Sequence, residues 1–350
     1  MRGMVVREYG APLERTELPF PALPPGHALL EVLTCGVCFS DVKTSRGKMP
    51  YSAELALPHV PGHEICARVL ETDPPGALEP GTLVVVYHVW PCRRCDRCRA
   101  GQENICRHPQ AWTGFTHPGG FQERLVAPLD RLAPVPPGVD PVHAAPLTCA
   151  LGTAYRSVIT RGRVAAGTRA VVIGLGGVGV HALQVARAAG AMAIGLDVSD
   201  RAIEVARDLG LDARRADGAD VEEEVLAATH GDGADVVVDT VGHEETVRQG
   251  ERLVRPGGRI VAVGYAVEAS FTPRRAPRAR GGRARGIAIR PARGARARHP
   301  PGGGWSRAHG HRPGDAARGR QRRDGRARGQ RGRRPRGARR RRGGVSPWAS

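Results

Sequence analysis

The chain has 350 residues, of which 41% are apolar but only 4% aromatic, so the length suits two domains with cores built from Val, Leu, Ile and Ala. Its net charge of +19 suggests a nucleic-acid binder, yet residues 1–272 sum to −5 and residues 273–350 to +24, so two compositions are joined in one chain. Met1 to Gly10 lack the apolar stretch of a secretory signal, no run of about 18 apolar residues marks a membrane span, and eight cysteines are too few for a disulfide scaffold, which predicts a cytoplasmic, metal-binding protein.

Residues 1–150 read as β-rich. Short apolar runs at 28–33, 65–71, 83–89 and 121–127 alternate with turn signals such as Pro24-Pro25-Gly26 and Pro80-Gly81. From about residue 151 the pattern changes to strands alternating with helices. Strands are expected at 169–173, 192–196, 234–239 and 259–264, and helices at 178–189, 201–209 and 244–253. The first helix should bury Val178, Ala182, Val185, Ala186 and Ala189. This alternation implies βαβ units and a parallel sheet.

Cys92, Cys95, Cys98 and Cys106 form C-x2-C-x2-C-x7-C. Four thiolates this close can surround one tetrahedral Zn²⁺, with an iron–sulfur cluster as the alternative. A shell of four thiolates admits no substrate, so the metal would be structural, pinning an Arg-rich lobe whose cations favour thiolate. Gly174-Leu175-Gly176-Gly177-Val178-Gly179 is a G-x-G-x-x-G turn between an expected strand and helix, and Asp197 ends the next strand. There Gly174 allows the tight turn, Gly176 lets the backbone approach a pyrophosphate, and Gly179 permits close helix–strand packing. Asp197 would accept the ribose hydroxyls and repel a 2′-phosphate, which favours NAD over NADP. Its alternative is a helix cap, a role that Ser199 and Asp200 fill better.

Gly36-Val37-Cys38-x-Ser40-Asp41, Gly62-His63-Glu64, the four-cysteine lobe, the Cys149 segment and the glycine turn occur in one order. Order and intervals together resemble the zinc-dependent medium-chain alcohol dehydrogenases over residues 1 to about 270. The resemblance implies a GroES-like β-rich catalytic domain (1–150) with a zinc lobe near 90–107, and a Rossmann domain with a doubly wound parallel sheet (151–270). It implies two Zn²⁺ per chain: the structural one, and a catalytic one held by Cys38, His63 and Cys149 with a fourth position open to the substrate oxygen. It also implies NAD-dependent, reversible oxidation of an alcohol to an aldehyde or ketone. In that scheme Ser40 accepts the alcohol proton, Asp41 fixes the ring of His63, and Glu64 is a nearby carboxylate and alternative ligand. Gly177 and Val178 complete the cofactor turn, Thr153 packs on the nicotinamide, and Val241 and Val263 lie in sheet-edge turns beside the cofactor. Phe39 stands where many members carry His or Arg against the pyrophosphate, and Val42 and Lys43 where a relay histidine is common. Cys35 and Cys66 are expected to be core or strand residues, and His88, Trp90 and Trp112 either line the pocket or serve packing.

From Pro273 the chain is dominated by Arg, Gly, Ala and Pro and contains no Leu, so a C-terminally incomplete sheet and a disordered basic segment are expected. Three accounts stand: a frame-shifted translation of a GC-rich gene, an Arg/Gly-rich arm for RNA or DNA, and an inert extension. With Trp305 and Trp348 as its only aromatics, the segment is poorly suited to nucleic-acid stacking. The first account compromises the dimer or tetramer usual in the family. The alternatives to the enzyme are therefore an inactive zinc-binding remnant and nucleic-acid binding through this arm.

Overall fold

The computed structural model describes residues 1–49 and 55–264; the expectations for residues 265–350, including the missing strand and the disordered arm, fall outside the described residues. Strands β1 (Arg2–Val5) and β2 (Glu14–Glu17) form an antiparallel hairpin that the sequence reading omitted. β3 (His27–Gly36) leads into helix α1 (Phe39–Ser45) and then β4 (Glu64–Thr72), β5 (Leu83–Val86) and β6 (Val89–Trp90). Helix α2 (Asp96–Arg99) lies in the cysteine lobe and is followed by β7 (Ala111–Trp112), β8 (Arg124–Pro128) and β9 (Leu132–Pro134). Five of these strands make an antiparallel sheet in the order β8-β3-β4-β5-β9.

Alternation along the strands builds the core. Ala28, Leu30, Ile65, Ala67, Val69, Val84, Val86, Leu125 and Ala127 share one buried face. Cys66 and Val85 point the other way, under Ala144 and Ala145 of the helical segment that closes the sheet, so Cys66 is a core residue as expected. Within that segment α3 (Pro141–Ala144) begins with Asp140, whose carboxylate accepts from the Val142 N–H at 2.8 Å, and with Pro141 in the first turn.

The expected single strand over 83–89 is divided in two. The Tyr87 N–H donates to the Arg131 carbonyl, still in the first sheet, whereas the His88 carbonyl accepts from Thr113 beside β7. The backbone therefore changes partners between Tyr87 and His88, and β6 pairs with β7 instead of continuing the sheet.

After helix α4 (Ala150–Tyr155) the chain alternates strictly: β10 (Arg169–Ile173), α5 (Gly177–Ala188), β11 (Met192–Asp197), α6 (Asp200–Asp208), β12 (Asp212–Arg215), α7 (Val221–Ala228), β13 (Ala234–Asp239), α8 (Glu244–Leu253) and β14 (Val254–Ala262). The five strands are parallel, in the order β12-β11-β10-β13-β14. Three expectations need correction. The buried face of α5 centres on Gly179, Ala182, Leu183 and Ala186, with Val178, Val185 and Ala189 half-buried at its rim. β14 starts five residues before the expected strand and carries a register shift opposite β13, where Pro256-Gly257-Gly258 interrupts the apolar run. β12 and α7 were absent from the sequence reading altogether. Among the described residues no helix is long and apolar enough to cross a membrane.

Asp235 ties the starts of three strands together. Its carboxylate accepts from the Arg169 N–H at 2.8 Å and from the guanidinium groups of Arg169 (3.3 Å) and Arg255 (2.5 Å). Burial opposes the charge, but the hydrogen bonds from Arg169 and Arg255 outweigh it and hold the carboxyl down to about 2, against an ordinary 3.8. A depressed carboxylate stabilises the fold above its ordinary pKa and loses that contribution as pH falls toward 2. Asp235→Asn should therefore cost about 1–3 kcal/mol in denaturant unfolding at pH 7, with the gap to wild type closing between pH 4 and 2.

Candidate active site and metal centres

The lobe between β6 and β7 places four sulfurs in one cluster. Cys92–Cys106, Cys95–Cys98 and Cys95–Cys106 are separated by 3.4, 3.5 and 3.9 Å. A tetrahedral zinc with bonds near 2.3 Å spaces its sulfurs about 3.8 Å apart, so the four residues fit that metal. Backbone N–H groups favour the thiolate at Cys92 and Cys95, the Arg107 charge adds to them at Cys95, and burial with the neighbouring sulfurs pushes the Cys98 thiol up. Cys95 is held down to about 6 by the N–H groups of Arg107 and Cys98, and Cys92 is lowered mainly by that of Arg94. Three nearby arginines also meet carboxylates: Arg93 pairs with Asp130, Arg107 with Asp96, and Arg131 with Glu103. None of the residues of α2 is buried, so the lobe has little apolar packing of its own.

A second cluster forms where three distant segments meet beside the end of β3. Cys38 precedes α1, His63 precedes β4, and Cys149 precedes α4. Their donor atoms, with a Glu64 oxygen, all lie within 4.8 Å of one another. Asp41 organises the group from a buried position, 4% exposed. Its Oδ1 lies 2.9 Å from His63 Nδ1 and accepts from the Gly62 N–H at 3.2 Å, while Oδ2 accepts from the Cys38 N–H at 2.9 Å. The carboxylate thus fixes two ligand segments at once and leaves His63 Nε2 for the cluster. Burial works against charge on His63, but Asp41 and Cys38 outweigh it and raise the ring to about 9. The Cys38 thiol is pushed down to about 3 by hydrogen bonds from Cys149, His63 and the Ser40 backbone. The Cys149 thiol is pushed up by Cys38 and burial, and the Glu64 carboxyl by burial and the Cys38 charge. Two sulfurs, one imidazole and a carboxylate form a donor set suited to zinc.

The sequence motif Gly36-Val37-Cys38 has a steric reason: a Cβ at Gly36 would come within 2.3 Å of Glu64 Oε2. Phe115, which sequence reasoning missed, lies over the His63 ring with centroids 4.4 Å apart, and His88 stands edge-on to His63 at 5.5 Å. Cys35 lies along β3, outside the donor cluster. Ser40 is half-buried in the first turn of α1. Phe39 is exposed, with the Lys43 ammonium 5.4 Å from its ring centroid. Trp90 donates its indole N–H to Thr113 Oγ1 at 2.9 Å.

The glycine turn links β10 to α5. Gly174 has φ +85°, a conformation that favours glycine. A Cβ on Gly179 would sit 1.7 Å from the Gly174 carbonyl oxygen, whereas Gly176 and Gly177 have no neighbour within 4 Å of that position. The helix N-terminus is therefore closely packed on one side and open on the other, a cradle that fits a pyrophosphate. Asp197 ends β11, and its oxygens accept from the Leu175 N–H at 2.6 Å and the Ser199 N–H at 2.8 Å. Ser199, not Asp197, caps α6 through the Ala202 N–H.

Two residues of the expected sheet-edge turn Asp239-Thr240-Val241-Gly242 have roles beneath the glycine turn that the sequence reading did not give them. Thr240 Oγ1 bonds to the carbonyls of Gly174 (2.9 Å) and Ile173 (3.1 Å). The fully buried Asp239 accepts from the Val241 and Gly242 N–H groups and from Thr246 Oγ1. Val241 packs against Gly174, the Val263 N–H donates to the Asp239 carbonyl, and the Thr153 N–H donates to that of Cys149.

Residues 24–137 match the alcohol dehydrogenase GroES-like domain model, and residues 177–291 match that of the zinc-binding dehydrogenases. The second match runs past residue 273, further than the motifs alone. An alcohol dehydrogenase of Geobacillus stearothermophilus is 32% identical over 268 residues, covering 75% of this chain and 77% of that protein. An NAD-dependent alcohol dehydrogenase of Sulfurisphaera tokodaii is 33% identical over 272 residues, covering 75% and 78%. The solved alcohol dehydrogenase from Thermus sp. ATN1 superposes with a TM-score of 0.70 at 31% identity, covering 78% of this chain and 81% of that one.

Proposed function

This chain belongs to the zinc-dependent medium-chain alcohol dehydrogenase family, and we propose that it works with two zinc ions, a structural one on Cys92, Cys95, Cys98 and Cys106 and a catalytic one on Cys38, His63 and Cys149. It is an oxidoreductase that interconverts alcohols with aldehydes or ketones, using zinc and a nicotinamide dinucleotide. The observation that carries the assignment of residues is the second donor cluster, brought together from three segments around one buried carboxylate. We assign catalysis to residues 1–150 and cofactor binding to residues 151–270.

Bound in the second cluster, zinc supplies the Lewis acidity that lowers an alcohol's pKa, and the nicotinamide supplies the two-electron acceptor. Asp41 holds a proton on His63 Nδ1, so that Nε2 is the nitrogen that gives up its proton and presents a lone pair to the metal. Ser40, in the first turn after Cys38, takes up the alcohol's hydroxyl proton. Glu64, whose carboxyl is raised by burial, supplies a reserve oxygen beside Cys38 and Cys149. Gly176, Gly177, Val178 and Gly179 offer the α5 N-terminus to the pyrophosphate. Thr153, Val241 and Val263 flank the cofactor, and Asp197 selects NAD over NADP by charge.

The direct test is NADH formation from primary and secondary alcohols by the purified, zinc-loaded chain. Ser40→Ala should lower kcat by about 10²-fold or more with zinc content unchanged; equal kcat would remove Ser40 from the proton path. The lobe gives a separate test. Chelation of its metal should speed tryptic cleavage within residues 93–107 by more than about tenfold, because the metal supplies the order that apolar packing does not.

A further inference from the structure

The break between β5 and β6 leaves His88 at the inner wall of the active site. Its ring stands edge-on to His63 (5.5 Å between centroids) and to Phe115 (5.9 Å). The Nδ1 atom is sealed from solvent with no hydrogen-bond partner. A neutral imidazole carries one N–H and one lone pair, and an orphaned buried N–H is the costlier of the two to seal away. The proton therefore belongs on Nε2, and His88 is an N–H donor. Phe115 offers the site no comparable donor, and the Trp90 indole N–H is already engaged with Thr113.

We propose that the His88 Nε2–H binds a second oxygen of the substrate, on the carbon next to the one oxidised, making this enzyme selective for vicinal diols over simple alcohols. The proposal rests on the alcohol-oxidising reading above and names its substrate class. A polar group in a closed pocket discriminates strongly, because an analogue lacking the partner atom leaves it unpaired. Phe115 and the His63 ring then hold the carbon skeleton, while His88 sets which carbon faces the reaction.

The test compares 2,3-butanediol with 2-butanol, and 1,2-propanediol with 1-propanol, on the full zinc-loaded chain. Wild type should favour each diol by at least about tenfold in kcat/KM, and His88→Phe should remove that preference while His88→Asn, which keeps an N–H, retains part of it. A second readout is independent of turnover: in protein labelled with ¹⁵N-histidine, 2,3-butanediol should shift the His88 Nε2 resonance and 2-butanol should not. Oxidation of all four alcohols with no diol preference, or a preference unchanged in His88→Phe, overturns the proposal alone. Failure of wild type to oxidise any of them overturns the functional reading and this proposal together.

Discussion

Cys149→Ala should lower kcat/KM for alcohol oxidation by at least about 10³-fold, equivalent to roughly 4 kcal/mol of lost transition-state stabilisation. One sulfur of a three-residue donor set is removed, which leaves two of the three ligand residues to hold the metal. The fold should tolerate the change, since Cys149 is only half-buried and the backbone around it is fixed by the Thr153 N–H bond to its carbonyl. NADH binding, measured by fluorescence titration, should stay within about threefold of wild type, because the glycine turn belongs to a different sheet. Activity lost together with cofactor affinity would point instead to a general collapse.

Gly179→Ala should act in the opposite pattern. The new methyl group would lie 1.7 Å from the Gly174 carbonyl oxygen, which is backbone and is held in place by Thr240. Something must shift, and the partners available are α5, the turn, and the Thr240 anchor beneath it. Over-packing of this kind costs about 1–3 kcal/mol or more, so the melting temperature should fall by several degrees and the Kd for NADH rise by at least about tenfold. Zinc content should be unaffected. Gly176→Ala is the matched control for sterics: its Cβ meets no protein atom within 4 Å, so stability should hold while cofactor affinity falls. A stable Gly179→Ala variant with normal NADH affinity would contradict the close-packing account.

The legible parts of the fold are those whose signal is local. β10 and β13 are buried parallel strands, and their continuous apolar runs mark both ends correctly. β12 reads Asp-Ala-Arg-Arg, is an edge strand with only Ala213 buried, and carries no pattern to detect. Helix α1 has seven residues and is organised by Asp41 reaching back to the Cys38 N–H, a contact that propensity does not encode. The division at Tyr87 and His88 involves no Gly or Pro; it arises from a change of backbone partner that only the folded chain shows.

The sites divide in the same way. The four-cysteine lobe is legible because its ligands are close in sequence. Cys38, His63 and Cys149 are far apart, and each alone resembles an ordinary core residue; the joint order of motifs brought them together before the structure did. Asp239 and Thr240 hold the cofactor turn from below, yet nothing in an Asp-Thr-Val-Gly strand end distinguishes them from any other. The expectation that arginines favour the lobe thiolates holds at Cys95, where the Arg107 charge adds to backbone N–H groups although its guanidinium also pairs with Asp96.

The central claim is that two separate donor sets each hold one zinc. Metal content of the purified chain, measured by plasma mass spectrometry beside Cys149→Ala and Cys95→Ala, tests it most directly. Two zinc ions per wild-type chain, falling to one in each variant, with alcohol oxidation abolished in Cys149→Ala, is the result expected. A wild-type chain holding a single zinc, or a Cys149→Ala chain that keeps two and still oxidises alcohols, would contradict it.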